Sequence, residues 1–406
     1  MIGHYSYGLS TCLIAYQLAA QLNRRDNEVL WCAVVGLTDQ YVQQTIDFAL
    51  YINEVQKLRD EVLRFNPIEE ADAHETQNNR TGKLQNMDHS VIRAADEFKL
   101  MTMRHWSLLE SLHYSNCVAT SLRTWQQQGY DQLLMFLAKM GISLWECREK
   151  YTEMTLKLRE KFKTKLLEQG HDYGLDDMVY ESFYRKLPFR TPTSASDFVY
   201  AIGALLQRPH VQSLSSAASG ASATDPALDE AAIEPREWLR RNFFSALDAM
   251  SDSHLEEFES GLQFSMVQQK AVVEQVKAMS EQKAFTNTRY FRHVKTCNQY
   301  EIFASPLMLI RLALFLCEYF AIAKPDSRKP FVVSSLIASK DVYLVVGVTG
   351  AGNTGSVKKN PFGLVFRQAA EQINASFRHD SFDTNVIEVQ RKSWEHFLLA
   401  LDVNWV

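Results

Sequence analysis

Residues 330–348 read PFVVSSLIASKDVYLVVGV. Two short β-branched runs, 330–338 and 341–348, are separated by only two residues. Runs of this length and composition suit strands better than helices. YEIFA (300–304) and TNVIEV (384–389) have the same character, whereas 306–323, 361–377 and 392–402 carry apolar residues at helical spacing. Strands alternating with helices make an α/β unit, so residues 285–406 are expected to form one.

The second run opens into a glycine-rich loop. Gly350 to Gly355 matches G-x-G-x-x-G, and Gly347 to Thr354 nearly matches a P-loop, with Asn353 where the phosphate-binding lysine belongs. Both motifs require the loop to open directly into a helix whose first amides hold the phosphate. Here SVKKNP follows, and Pro361 keeps Asn360 away from helical angles. No acidic residue closes a second strand about 20 residues on. The loop therefore reads as a connection, with Lys358 and Lys359 at its end as candidate contacts to phosphate or to an acidic partner.

Upstream the pattern is helical. Stretches 91–113, 116–127, 130–138, 143–169 and 176–184 are punctuated by Gly129, Gly141 and Gly170. Asp197 or Ser196 would cap a further helix through Leu206. Residues 213–235, rich in Ser, Ala, Asp and Glu, can bury little and read as a flexible linker, and 238–283 is helical again. Near the start, 7–22 and 41–65 read as helices. Between them LWCAVVGL (30–37) fits a buried parallel strand or a helix buried on all sides. Helix, strand-like run and helix suggest a second α/β unit. The expected fold class is thus α/β with a large all-helical insertion.

Composition agrees. Only 26 of 406 residues are Gly or Pro, about half the usual share, which excludes turn-dense all-β folds and low-complexity disorder. The net charge of −5 excludes a body that coats nucleic acid by charge alone, although not a local basic groove. Six cysteines, at 12, 32, 117, 147, 297 and 317, include no C-x-x-C pair and read as reduced thiols. PLMLIRLALFLCEYFAIA (306–323) has the minimum length for a membrane span, yet Arg311 and Glu318 interrupt it on one helix face. Each would cost roughly 2–3 kcal/mol near a bilayer centre, so a buried helix with one polar stripe explains it better.

Few residues promise chemistry. FTNTRYFRHVK (285–295) interleaves Phe285, Tyr290 and Phe291 with Arg289, Arg292, His293 and Lys295, the mixture that stacks bases and pairs phosphates in single-strand binding, or an ordinary half-buried strand. The basic run at 146–165 reads as an exposed helix face. His105 and His113 share a helix in this reading but have no carboxylate at ligand spacing. Asp39 follows an apolar run, where an α/β fold can place a functional carboxylate, and it reads equally as a helix cap. One Asp does not hold a metal pair. Trp405, at the extreme C-terminus, reads as core packing or as a partner contact. Spacing alone gives no catalytic constellation.

Several blocks, taken together and in order, resemble the eukaryotic cell division control protein 45 family. They are YGLSTCLIAYQLAAQL, LWCAVVGLTDQYV, HWSLLESL (105–112), DQLLMFLAKMGISL (131–144), SDFVYAIGALL (196–206) and NPFGLVFRQAAE (360–371) leading into TNVIEV. The match is to the family's C-terminal two-thirds, with its first α/β portion and acidic stretch missing, so Met1 is expected to start a fragment. The family is similar to the DHH phosphoesterases, including the RecJ exonucleases, in which Asp and His residues bind two metal ions. Of that cluster only Asp39 falls at a matching place, as a vestigial ligand. NPFG departs from the enzymes' glycine-rich nucleic-acid motif.

The resemblance implies a partial DHH-like α/β domain (1–66), a helical intermediate domain (67–210), a Ser/Ala-rich linker (211–235), a helical connection (236–284) and a DHHA1-like α/β domain (285–406). It implies a nuclear replication factor without enzymatic activity or cofactor. Such a factor scaffolds the replicative helicase with the minichromosome maintenance hexamer and GINS, meets other origin-firing factors, and contacts single-stranded DNA but no membrane. The competing expectation is an active RecJ-like, metal-dependent exonuclease whose catalytic half lies outside this sequence.

Overall fold

Three helices open the chain: α1 (Thr11–Gln21), α2 (Asn27–Val42) and α3 (Phe48–Phe65). The computed structural model describes residues 8–67, 90–187, 190–209, 235–251, 253–297, 301–325, 327–350, 360–379 and 383–405. Ser10 and Asp26 cap the first two helices by accepting from the Leu13 and Val29 amides. The run at 30–37 lies inside α2, so its strand reading is corrected, and the described part of residues 1–66 contains no strand. The cause is burial. Leu30, Trp31, Ala33, Val34 and Leu37 are all enclosed, which removes the polar face that marks an amphipathic helix.

The middle is not all-helical. β1 (Val91–Phe98) pairs antiparallel with β2 (Val179–Lys186), from Val91↔Lys186 to Phe98↔Val179, and β3 (Thr193–Ser194) joins β2. The helical readings of 91–98 and 179–184 are therefore wrong. Each strand is short and carries charge, and its partner is far away in sequence, so local patterning could not reveal the pairing. Between β1 and β2 run α4 (Leu108–Tyr114), α5 (Asn116–Leu122), α6 (Gln127–Lys139), α7 (Leu144–Arg148) and α8 (Leu156–Gln169). Next comes α9 (Ala195–Leu206), capped by Ser194 rather than by Ser196 or Asp197. Asp197 stands at its third position and completes a capping box. α10 (Pro235–Asp248) and the long α11 (Leu255–Glu281) lead to the last third.

There the α/β expectation holds. β4 (Thr286–Asn287), β5 (Arg292–Lys295), β6 (Phe331–Ile337), β7 (Val342–Val348), β8 (Phe377–His379) and β9 (Val386–Gln390) form one sheet in the order β4-β5-β6-β7-β9-β8. Only β5 and β6 pair parallel. The described part of YEIFA is a single 3-10 turn (Glu301–Ala304), not a strand. Side chains alternate across the sheet. Phe331, Val333 and Val346 face α12 (Pro306–Ala323), whereas Val332 and Val345 face α13 (Phe362–Gln372) and α14 (Trp394–Val403). α12 is long and apolar enough to cross a membrane by length and composition. In the fold it is a core helix, with Met308, Leu309, Leu312, Phe315 and Leu316 enclosed against the sheet.

A candidate anion-binding cleft

A cleft of about 950 Å³ opens where the N-terminal helices, the middle and the last third meet. The turn after α2 supplies Gln43 and Gln44, the turn after β1 supplies Lys99, α5 supplies Cys117 and Thr120, and α9 supplies Tyr200. Arg292 of β5, then Arg311, Cys317 and Glu318 of α12, and Arg328 and Lys329 before β6 make the opposite wall, with Thr349 and Gly350 at its edge. Among the described lining residues five are cationic and three acidic, the acids being Asp176, Asp177 and Glu318.

Three of these cations, Arg311, Arg292 and Lys329, donate to neutral partners. Arg311 donates to Gln268 Oε1 at 3.4 Å and lies 5.5 Å from the Tyr200 ring centre. Burial pulls its pKa down, against the charges of Tyr200 and Asp39. Arg292 is 4% exposed, donates to the Ser327 carbonyl at 2.6 Å and sits 4.7 Å from the centre of the Phe320 ring. Lys329 donates to Asn287 Oδ1 at 3.2 Å. Guanidinium groups kept in a part-dry cleft by neutral partners leave a local positive field that suits phosphate oxygens.

Glu318 opposes that field incompletely. Burial drives its pKa up to about 7, while a hydrogen bond from Gln44 and the charge of Lys99 pull it down. Burial also pushes the Cys117 and Cys317 thiols and the Tyr200 phenol up to about 12, so none of them adds negative charge near neutrality.

The candidates from sequence separate. Arg292 lines the cleft but is mostly spent on Ser327 and Phe320. Arg289 is exposed, with its guanidinium 5.2 Å from the centre of the Tyr290 ring, and lies outside the cleft. The aromatics of that segment are used internally: Phe285 meets Phe320, while Tyr290 and Phe291 meet Trp405. Trp405 also meets Phe362 at 4.9 Å, which is core packing. Lys358 and Lys359 lie outside the described residues, although Gly350 and Pro361, which flank their segment, line the cleft.

Asp39 is in the last turn of α2, at neither a strand end nor a helix start, which corrects both readings. Its side chain reaches solvent, yet the surrounding protein withholds enough water to push its pKa up, against a Gln43 hydrogen bond and the charge of Arg311. His113 lies in the last turn of α4 and His105 precedes the helix, so they do not share it. Among the described residues no three His, Cys, Asp or Glu side chains converge as a metal site.

Residues 351–359 of the glycine-rich motif lie outside the described residues, but Gly347 before it and Gly363 of NPFG have packing explanations. A Cβ on Gly347 would lie 2.2 Å from the Phe362 ring, and one on Gly363 would lie 2.2 Å from Thr384 Oγ1. Asn360 donates to the Gly347 carbonyl at 3.0 Å and accepts from the Phe362 amide at 3.0 Å, tying the end of β7 to the start of α13. Gly347 therefore serves close approach of an aromatic ring.

Sequence reasoning missed the cleft because its cations come from distant segments. One signal was available: Arg311 and Glu318, the two charges that interrupt the most apolar helix, both face it.

Comparison with known proteins agrees with this architecture. A family model described as CDC45 matches residues 3–404. The cell division control protein 45 homologue of Schizosaccharomyces pombe is 32% identical over 417 residues, covering 97% of this chain and 64% of its own length. The homologue of Dictyostelium discoideum is 30% identical over 410 residues, covering 97% and 61%, and that of Homo sapiens is 27% identical over 408 residues, covering 98% and 66%. The chain thus spans a little under two-thirds of the length of these relatives. The crystal structure of CDC45 from Entamoeba histolytica superposes with a TM-score of 0.70 at 24% identity, over 98% of this chain and 72% of the other, and shares its fold.

Proposed function

This chain belongs to the CDC45 family, and from that membership we propose that it is a DNA replication factor acting as a non-enzymatic scaffold of the replicative helicase. In this reading it works in the nucleus, in initiation and elongation, beside the minichromosome maintenance hexamer and GINS and with other origin-firing factors. ATP hydrolysis belongs to the hexamer. The observation that carries the reading is the family match across residues 3–404. The domain order of the family is part of it: residues 1–66 as the end of a DHH-like domain, 67–210 as an intermediate domain, 211–235 as a linker, 236–284 as a connection and 285–406 as a DHHA1-like domain.

Within that reading the cleft contacts single-stranded DNA through its phosphates. The excess of cations on its walls supports this, because phosphate contacts position a strand without reading its sequence. The alternative, a metal-dependent phosphoesterase, needs converging carboxylates and histidines. Asp39 has Gln43, Arg311 and Cys12 as its interacting neighbours instead, a set that does not fit two divalent ions.

Incubating the full chain with labelled oligothymidylate and manganese separates the two readings. Binding without shortening of the strand, weakened roughly tenfold by Arg311→Ala, is the expected result. Manganese-dependent cleavage lost in Asp39→Ala would overturn it.

A further inference from the structure

Glu318 lines the cleft among its cations. The inference drawn from it rests on the cleft reading above. The carboxyl accepts from Nε2 of Gln44, just past the end of α2, at 2.5 Å. The other ionisable groups that interact with it are Lys99 from the turn after β1, Cys117 from α5, Tyr200 from α9 and Cys317 beside it on α12. Arg311, two turns earlier on α12, lines the same cleft and interacts with Tyr200. Among the described residues Lys99 is the cation whose charge bears on it, and the two thiols and the phenol stay neutral near physiological pH. On this wall, then, Glu318 is the described group whose charge can change. Asp176 and Asp177 lie on another segment of the lining, before β2.

We propose that Glu318 takes up a proton when a phosphate oxyanion enters the cleft, so that anion binding and protonation are linked. An ionised carboxylate repels the incoming oxyanion, whereas a neutral carboxyl removes the repulsion and has an O–H to donate. The proton comes from bulk buffer and no covalent bond changes. A strand and a free nucleotide present the same oxygens, and in either case Glu318 discriminates by charge.

The carboxyl is already poised: burial in the cleft places it where occupancy needs only a modest further shift. If occupancy raises its pKa by one unit, linkage makes binding about fivefold tighter at pH 6 than at pH 8.

The test uses the full chain and labelled oligothymidylate, whose diester linkages stay ionised throughout this range. Anisotropy titrations at pH 6, 7 and 8 and constant ionic strength are run on wild type and Glu318→Gln. Calorimetry of the wild type in two buffers of different ionisation enthalpy counts the protons taken up. Expected are tightening as pH falls, net proton uptake, and a Glu318→Gln variant that binds tightly with little pH dependence. A flat wild-type profile with no proton uptake, or an unchanged slope in Glu318→Gln, would overturn the proposal while leaving the cleft reading intact. Absence of binding at every pH, or binding indifferent to Arg311→Ala, would overturn the cleft reading itself. Substituting the dinucleoside phosphate of thymidine for the oligomer shows whether a strand or a single linkage suffices.

Discussion

Gln44, just past the end of α2, donates to the Glu318 carboxyl on α12 at 2.5 Å, joining residues 274 positions apart. That contact closes one side of the cleft and ties the N-terminal helices to the core helix of the last third. Because burial raises the Glu318 pKa to about 7, stability depends on pH in a definite direction. The unfolded chain ionises this group near its ordinary value, and the folded chain resists. Stability is therefore complete below about pH 4.5 and falls as pH rises through about 7, by about 3 kcal/mol in total from this group. Urea unfolding of Glu318→Gln should lack that component, and a variant as pH-dependent as wild type between pH 5 and 8 would refute it.

A second buried charge cluster has the opposite sign. Arg104 pairs with Glu97 at 2.6 Å and approaches Asp197 at 4.0 Å, while His105 approaches Asp197 at 3.5 Å. Burial opposes ionisation of Asp197, but His105, Arg104 and Ser194 outweigh it and hold its carboxyl below the usual range. Asp197→Ala removes the carboxylate that Arg104 and His105 approach and opens the capping box, so it should lose about 2 kcal/mol near neutrality. The group's contribution is present above its unfolded pKa near 3.8 and is lost as pH falls through the lower folded value. Wild-type and variant unfolding curves should therefore converge in acid. A constant gap down to about pH 2 would disprove the assignment.

Gly347 lies against Phe362, and a methyl group there must displace the ring or the strand. Gly347→Ala should cost about 2 kcal/mol by overpacking. The loss should shrink by about 1 kcal/mol in a Phe362→Leu background, as a double-mutant cycle measures. Additive losses would mean that the glycine is required for some other reason, such as ligand approach.

Trp405 closes the sheet face through Phe362, Phe291 and Tyr290. Replacing it with Ala should lower stability by about 2 kcal/mol, less than for a fully enclosed Trp. Thermal melting checks this. An unchanged melting curve together with lost partner association would make it a docking residue instead.

How much of this was legible in the sequence follows from where the information sits. β6 and β7 could be read because each carries its own β-branched run and the two are adjacent. The 30–37 run could be narrowed only to strand or helix, since a helix enclosed on several faces loses its periodic signature. β1 and β2 were missed because pairing across five intervening helices stabilises them, not local preference. The cleft is harder still. Lys99, Arg292, Arg311 and Lys329 are unremarkable cations one by one, and only the fold brings them together. The two charges inside the apolar run at 306–323 were the one local hint. They argued correctly for a protein-facing polar stripe and could not say what it faced.

The central claim is that the chain acts as a replication scaffold. The most direct measurement is quantitative purification of the tagged protein at native expression from synchronised cells. Near-stoichiometric recovery of minichromosome maintenance and GINS subunits in S phase, without manganese-dependent nuclease activity, is the predicted result. Recovery of neither complex in S phase, or a co-purifying nuclease activity abolished by Asp39→Ala, would contradict it.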